Sequence, residues 1–315
     1  MFPDYFDNKY NAVFKNERNK LISNKRNVEV INEIPRFIHN ENYASAFGEQ
    51  WKKYFDIQLD SYTNTNISRD RVKRCMGSEL FEKLKGKYVL EAGCGAGRFT
   101  EVLLSKGARV ASFDISDAVE ANKKNFPLNE DHIIFQADIN DIPFKAEQFD
   151  VVLCLGVIQH TPDPEQTIAS LWNQVKPGGW LVIDHYTYRL SHFTKTTPII
   201  RPFIKRLSPK YGIKVTDSIT KLFFPLHKLV KNFYFGQALL SRISPVHTYF
   251  FAYPELSDVD QYNWALLDTH DSLTDWYKYF RTKGQIRKAL QGLGGTEIYS
   301  EYSSHGVDAR AKKKS

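Results

Sequence analysis

The sequence has few of the features that mark secreted, disulfide-bonded or membrane-spanning proteins. Its 315 residues contain only 3 cysteines. Cys75, Cys94 and Cys154 lie far apart, so they suggest neither a disulfide framework nor a zinc site, and we expect no metal. No run of about 18 apolar residues occurs, so no membrane-spanning helix is expected. The N-terminal stretch MFPDYFDNKYN lacks the basic and then apolar pattern of a signal peptide, and we expect a cytoplasmic location.

Acidic residues are scarce in one segment, residues 195–242. This segment contains ten basic residues and a single acid, Asp217, which gives it a charge of +9. Since the net charge of the chain is +7, the remaining residues together carry −2. Lysines mixed with Phe and Leu would suit an acidic substrate or the inner, anionic face of a membrane. A buried apolar face with a solvated cationic face explains the pattern equally well. Nucleic acid is not expected as a partner, because no recognised RNA-binding module accompanies the charge.

A glycine-rich turn follows an apolar strand in residues 87–100, KYVLEAGCGAGRFT. Glycines permit positive φ and let a ligand lie against bare backbone, and the helix behind them presents unpaired N–H groups. The stretch therefore predicts a nucleotide-type pocket at Gly93, Gly95 and Gly97. It does not match the dinucleotide fingerprint G-x-G-x-x-G, because Arg98 stands where the third glycine would be.

Strands and helices alternate from residue 86 onward. Apolar runs predict strands near residues 89–92, 110–114, 133–135, 149–155 and 180–184, and two closing strands near 296–301 and 307–312. Such alternation argues for an α/β fold with a doubly wound, mostly parallel sheet. In these sheets ligands bind beyond the carboxyl ends of the strands, where the glycine turn, Asp114, Asp138 and residues 156–160 fall.

The order of these motifs resembles the class I S-adenosylmethionine (SAM) methyltransferases. Glu91 and Asp114 resemble the acidic residues of motif I and of the following strand, and Asp138-Ile139 resembles the pair beside the adenine. The runs FDVV, GVIQHTPD and KPGG, all between residues 149 and 179, resemble later motifs in the expected order. The resemblance implies a Rossmann-like, seven-stranded methyltransferase fold and SAM as cofactor.

The same resemblance implies a set of cofactor-binding residues. The turn would hold the methionine part of SAM, Asp114 the ribose hydroxyls and Asp138 the adenine amine. The full set comprises Tyr43, Trp51, Glu91, Gly93, Cys94, Gly95, Gly97, Asp114, Ile115, Asp138, Ile139, Leu155 and Gly156.

Four regions follow from this reading. Residues 1–85 would form an N-terminal arm with a helical lead-in and lid, 86–188 the SAM-binding core, 189–281 an inserted helical substrate cap, and 282–315 the closing helix and strands. Within the arm, residues 1 to about 35 would form either short helices or an extended segment. Tyr43, Phe47 and Trp51 recur at helical spacing, which is typical of a core stripe. The surrounding run ENYASAFGEQW is similar to the lead-in of a type 11/12-like bacterial methyltransferase subgroup often associated with polysaccharide biosynthesis, in which this helix closes over SAM.

The substrate side offers acids and histidines. Asp268 and Asp271 lie in a stretch similar to an LDxxDxLxPxY element of that subgroup, although TDW replaces its proline spacing; the acids could also merely cap a helix. A hydroxyl acceptor needs a base, most often His near neutral pH. His160 and His185 follow strands and His270 lies in the cap, and any of the three could instead be structural.

The leading hypothesis is SAM-dependent O-methylation of a sugar or glycan intermediate by in-line transfer with a histidine base. A methyltransferase of a prenyl quinone or another lipid is the first alternative. A SAM-binding partner protein without catalysis is the second.

Overall fold

The computed structural model describes residues 1–17, 19–38, 50–51, 53–189 and 194–315. Its N-terminal part forms six short strands: β1 (Phe6–Asp7), β2 (Ala12–Val13), β3 (Lys15–Glu17), β4 (Lys20–Ile22), β5 (Asn27–Ile31) and β6 (Ile34–Arg36). The described part of residues 1–35 therefore takes the extended form, one of the two expected for it, and short helices are the wrong alternative here. From β3 to β6, each strand pairs antiparallel with the next strand along the chain. Strand β6 joins the main sheet where Arg36 pairs with Gln136.

Seven longer strands form the centre of the sheet: β7 (Tyr88–Ala92), β8 (Arg109–Asp114), β9 (His132–Gln136), β10 (Phe149–Cys154), β11 (Val175–His185), β12 (Thr296–Ser303) and β13 (Gly306–Lys312). Their order is β12-β13-β11-β10-β7-β8-β9, and β13 pairs antiparallel with both of its neighbours, β11 and β12. The predicted α/β fold with seven mostly parallel strands is confirmed, and the complete sheet has eleven strands because β6, β5, β4 and β3 extend it beyond β9.

Aromatic packing explains why the N-terminal strands join this sheet. The ring of Tyr5 lies 5.3 Å from the rings of both Phe37 and Phe144, and Phe37 and Phe144 each contact the buried Phe135 of β9. Without β6, strand β9 would present an open hydrogen-bonding edge. The extension therefore buries aromatic surface and covers that edge.

Eleven helices surround the sheet in the described ranges. They are α1 (Asp60–Thr63), α2 (Ile67–Met76), α3 (Ser78–Glu82), α4 (Arg98–Ser105), α5 (Ala118–Asn125), α6 (Pro164–Gln174), α7 (Thr197–Ile204), α8 (Pro209–Leu229), α9 (Tyr234–Ile243), α10 (Asp258–Thr274) and α11 (Lys283–Gly292). Helices α7 to α10 lie between β11 and α11, and α8 packs along α10. Trp264 of α10 donates a hydrogen bond to the Ile57 carbonyl oxygen (2.7 Å), which ties this insert to the segment before α1. In the part of the chain that the structure describes, no helix combines the length and apolarity needed to span a bilayer.

The point of chain reversal lies between β7 and β10. The chain runs outward from β7 through β8 to β9 and then returns to β10 on the other side of β7. The loops after these two strands therefore separate and leave a crevice at the carboxyl end of the sheet.

Candidate active site

The glycine turn after β7 forms a close-packed cradle at this crevice. Gly93, Gly95 and Gly97 have φ values of +73°, +51° and +98°. A Cβ atom on Gly93 would lie 2.3 Å from Cγ2 of Val157, and one on Gly97 would lie 2.7 Å from the ring of Phe126. Both backbone conformation and space thus require glycine here, which fits a turn built to let a ligand approach bare backbone.

Asp114 is held rigidly at the end of β8. Its Oδ2 accepts a hydrogen bond from the Gly95 N–H (3.0 Å), and its Oδ1 accepts from the Ser116 N–H (2.8 Å) and hydroxyl (2.7 Å). Burial raises the pKa of Asp114, and these hydrogen bonds oppose that rise. The carboxylate is therefore oriented by the same turn that forms the cradle.

A cavity of about 750 Å³ opens beside the turn. The predicted cofactor residues that line it are Trp51, Gly93, Cys94, Gly95, Asp114, Ile115, Ile139, Leu155 and Gly156. Trp51 lies over the turn, since a Cβ atom on Gly95 would be 3.3 Å from its ring. These residues and the cradle fit a nucleoside-bearing cofactor. Tyr43 lies outside the described residues.

Three other predicted cofactor residues do not line the cavity. Gly97 begins α4 behind the turn and faces Phe126. Asp138 turns back to accept the Asn140 N–H (2.7 Å). Glu91 is only 2% exposed and accepts hydrogen bonds from the hydroxyls of Thr100 (2.5 Å) and Ser112 (2.9 Å). Burial raises the pKa of Glu91 to about 7, so this residue supports the turn from within the sheet.

His160 lies in the cavity wall at the end of a short 3₁₀ helix, Ile158–His160. Its Nδ1 donates to the Tyr277 carbonyl oxygen (3.2 Å) and lies 3.1 Å from Oδ2 of Asp275. Because both neighbours are acceptors, Nδ1 carries the proton of the neutral ring and Nε2 is the basic nitrogen. Burial opposes ionisation of Asp275, yet Lys278 and His160 hold its pKa below the usual value.

The other two candidate bases do not line the cavity. On β11, side chains alternate between the two faces, so Asp184 and Tyr186 reach the cavity and His185 does not. Burial lowers the pKa of His185. On α10, His270 points toward α8, where its Nδ1 lies 2.9 Å from the Thr216 hydroxyl. Of the three candidate bases, His160 alone lines the cavity, and His185 and His270 are buried away from it.

The two predicted substrate acids do line the cavity. Asp268 accepts hydrogen bonds from the Tyr249 hydroxyl and from Nε2 of Gln58 (3.2 Å). One turn further along α10, Asp271 faces the same space. Burial and the neighbouring Asp268 raise the pKa of Asp271 well above its ordinary value, and burial raises that of Asp268.

An ion pair that sequence reasoning missed lies between the cradle and the acids. Arg71 of α2 donates from Nε (3.2 Å) and from one terminal nitrogen (2.5 Å) to Oδ2 of Asp184. The other oxygen of Asp184 accepts the Gly156 N–H (2.6 Å). Alternation along β11 could have identified Asp184. Nothing local identifies Arg71, which is 113 residues away.

Several cationic side chains also lie in the cavity wall. Those lining the cavity are Arg71, Arg98, Arg189, Lys195, Arg201 and Lys278. Arg98 donates hydrogen bonds to the Ser68 hydroxyl (2.9 Å) and to the side-chain oxygen Oε1 of Gln58 (3.2 Å). Its guanidinium group lies over the ring of Trp264. The cavity wall therefore combines several cations with apolar and aromatic side chains.

The outer surface of the insert exposes large apolar side chains. Phe203, Leu229 and Phe235 are 73%, 83% and 74% exposed, and further large apolar side chains on α7 to α9 are exposed as well. Lysines such as Lys210 and Lys221 are exposed on the same helices. The surface thus combines apolar side chains with positive charge.

Comparison with known proteins provides independent evidence for the family of this chain. The family model described as "Methyltransferase domain" matches residues 90–183. A ubiquinone biosynthesis O-methyltransferase of Pseudomonas entomophila is 37% identical over 173 residues, which cover 47% of this chain and 73% of that protein. The chain belongs to the class I SAM-dependent methyltransferases.

The extent of similarity differs among relatives of this methyltransferase. A ubiquinone biosynthesis O-methyltransferase of Coxiella burnetii is 36% identical over 100 residues, 31% of this chain, and the chain spans only 43% of that relative. Among solved structures, magnesium protoporphyrin IX methyltransferase of Synechocystis, with bound SAH, has 14% identity and a TM-score of 0.46 over 86% of this chain and 97% of that one.

Proposed function

We propose that this methyltransferase transfers the methyl group of SAM to a hydroxyl oxygen of a polar acceptor, a sugar or glycan. The observation that carries the proposal is the position of His160 in the wall of the cavity beside the glycine cradle, with the Asp275 carboxylate 3.1 Å from its Nδ1. SAM, when bound, supplies a methyl group on a positively charged sulfur. The protein's contribution is to position the acceptor and to remove its proton.

The cofactor side of the cavity is assigned from its contacts. The backbone of Gly93 and Gly95 provides the surface against which the cofactor lies, and Asp114 offers carboxylate oxygens to ribose hydroxyls. Ile115, Ile139 and Leu155 give the apolar walls that a purine ring needs, and Trp51 covers the turn. Glu91 and Gly97 support this surface from behind it.

On the acceptor side, His160 is the general base. Nε2 takes the hydroxyl proton as the new oxygen–carbon bond forms, and the charge that develops on the ring is stabilised by the buried Asp275 carboxylate. Asp275 acts through His160 and is a positioning residue. General-base catalysis of this kind contributes about 10²–10⁴ in rate.

A polar acceptor suits the surrounding wall. Asp268, Asp271 and the Arg71–Asp184 pair present donors and acceptors around the space next to His160. Hydroxyl-rich molecules can exchange further hydrogen bonds with such groups, each worth about 0.5–1.5 kcal/mol.

Transfer of labelled methyl groups tests the proposal. The chain is incubated with methyl-labelled SAM and with nucleotide sugars, lipid-linked glycans or quinone extracts. We expect label in a sugar-containing fraction and its loss with His160→Ala, while SAM binding persists. Label in the quinone fraction alone contradicts the sugar assignment, and SAM binding with no transfer to any fraction supports the non-catalytic alternative.

The second candidate acceptor is a prenyl quinone or another lipid. The names of the curated relatives and the exposed apolar surface of α7 to α9 favour it. The +9 charge of residues 195–242 would draw this surface to anionic lipid headgroups.

Flotation with phosphatidylglycerol vesicles tests whether this surface contacts anionic membranes. Leu229→Asp should reduce vesicle binding. Ile31→Asp on β5, which is also an exposed apolar position, should leave vesicle binding unchanged. Vesicle binding that survives the double substitution Leu229→Asp and Phe235→Asp contradicts the proposed membrane contact.

A further inference from the structure

The insert side of the cavity contains a cluster of cations with too few acids. We propose that this cluster, in which Lys195, Arg189 and Lys278 line the cavity and Arg242 donates to the hydroxyl of Thr194 next to Lys195, binds a phosphate or diphosphate group of the acceptor. The proposal rests on the function proposed above and narrows its substrate to phosphorylated sugars or glycans.

Lys195 is the central residue of the cluster. It lines the cavity and is partly buried just before α7. Within the ranges that the structure describes, its ammonium group makes no hydrogen bond and no ion pair. A partly buried lysine usually finds a carboxylate or carbonyl partner, because withdrawal from water is otherwise unfavourable. Its donors are therefore available to a ligand in the cavity.

The neighbours of Lys195 add positive charge. Arg189 donates to the carbonyl oxygens of Ser303 (3.1 Å) and Ser304 (2.7 Å), and Arg242 donates to the Thr194 hydroxyl (2.5 Å). All these acceptors are neutral, so they orient the guanidinium groups without compensating their charge. Burial, followed by repulsion from Arg242, Lys278 and Arg189, lowers the pKa of Lys195.

The nearest acids do not neutralise the cluster. Asp275 pairs with Arg201 and lies 3.4 Å from Nζ of Lys278, so one carboxylate serves two cations. Asp271 also lies near Lys278, but burial and the neighbouring Asp268 raise its pKa well above the ordinary value, which weakens it as a counter-charge. Three cations, Lys195, Arg189 and Arg242, consequently have no carboxylate among their hydrogen-bond and ion-pair partners in the described ranges.

A phosphate group matches this arrangement in charge and in hydrogen bonding. Its oxygens accept several charge-assisted hydrogen bonds at once, which are about twice as strong as neutral ones. The eight-residue helix α7 also begins here, and its first residues, Thr197 and Pro198, line the cavity. A helix N-terminus favours negative charge and supplements the side chains.

Calorimetric titration of the full chain with inorganic pyrophosphate tests the subsite. We expect one binding event, weakened at least about tenfold by Lys195→Ala, since a hydrogen bond to a charged group contributes that much. Lys221→Ala, on the exposed face of α8, removes the same charge from the same segment and should leave binding unchanged. Equal affinity for wild type and Lys195→Ala overturns the proposal.

A parallel titration with SAM separates this proposal from the previous one. If the wild-type chain binds SAM but not pyrophosphate, the phosphate subsite is refuted and the proposed function is not. If the wild-type chain does not bind SAM, the proposed function is refuted. Competition then distinguishes the source of the phosphate: uridine diphosphate should displace pyrophosphate if the acceptor is nucleotide-linked, and farnesyl diphosphate if it is lipid-linked. Displacement by neither contradicts the assignment to an acceptor phosphate.

Discussion

Glu91 makes a pH-dependent contribution to stability that can be worked out from its surroundings. The side chain is 2% exposed beneath the glycine turn, and its carboxylate accepts hydrogen bonds from the hydroxyls of Thr100 and Ser112. Burial raises its pKa from 4.5 to about 7 in the folded chain. The folded state therefore holds a proton that the unfolded chain releases between these two pH values.

The direction and size of the effect follow from this difference. The stabilising contribution of protonated Glu91 is fully present below pH 4.5 and is lost as the pH rises through about 7. Because each tenfold change in the protonation equilibrium corresponds to about 1.4 kcal/mol, the loss between pH 5 and pH 8 amounts to about 2.5 kcal/mol. This is a substantial part of the total stability of a typical protein, about 5–15 kcal/mol.

Urea unfolding of wild type and Glu91→Gln between pH 5 and pH 8 checks the calculation. The amide of the variant keeps an oxygen for Thr100 and Ser112 but cannot ionise. Between pH 5 and pH 8, the free energy of unfolding of wild type should therefore fall by about 2.5 kcal/mol relative to that of Glu91→Gln. Glu130→Gln, at an exposed position, controls for the loss of one carboxylate. A difference between wild type and Glu91→Gln that stays constant with pH refutes the reasoning.

Three further outcomes are expected. Gly93→Ala should destabilise the chain by about 1–3 kcal/mol in urea unfolding, because the new Cβ would meet Val157 at a φ of +73°; unchanged stability and SAM affinity would contradict the cradle geometry. Arg71→Ala should cost about 3–5 kcal/mol in the same assay, because it leaves the Asp184 carboxylate buried and unpaired; a cost below 1 kcal/mol would contradict this pairing. Asp275→Asn should lower kcat by about 10²–10⁴ and change the pH–rate profile while KM for SAM is kept, and a profile identical to wild type would exclude the His160–Asp275 pair.

The central sheet and the cofactor side were predictable because their signals are local. The apolar runs that became β7, β8 and β10 and the glycine turn between β7 and α4 are each encoded within a few residues. Asp114 and Leu155 could be placed at the cavity because parallel strands present their carboxyl ends at one edge.

The acceptor side depends on contacts between distant parts of the chain. Asp184 gains its partner from α2, and His160 gains its partner from the end of α10, so neither pair leaves a pattern in the sequence. His185 and His270 were chosen for their chemistry, and strand alternation and helix packing turn them away from the cavity. The N-terminal strands were missed because β1 to β4 contain only two or three residues each, too few for a period to be recognised.

The most direct test of the account is a calorimetric titration with SAM of wild type, Gly95→Arg and Gly292→Arg. An arginine at Gly95 must enter the space under Trp51, whereas Gly292 at the end of α11 has nothing within 4 Å of a Cβ atom. We expect one SAM site in wild type and Gly292→Arg and no binding by folded Gly95→Arg. Wild-type affinity in Gly95→Arg would contradict the assignment of this cavity as the cofactor site.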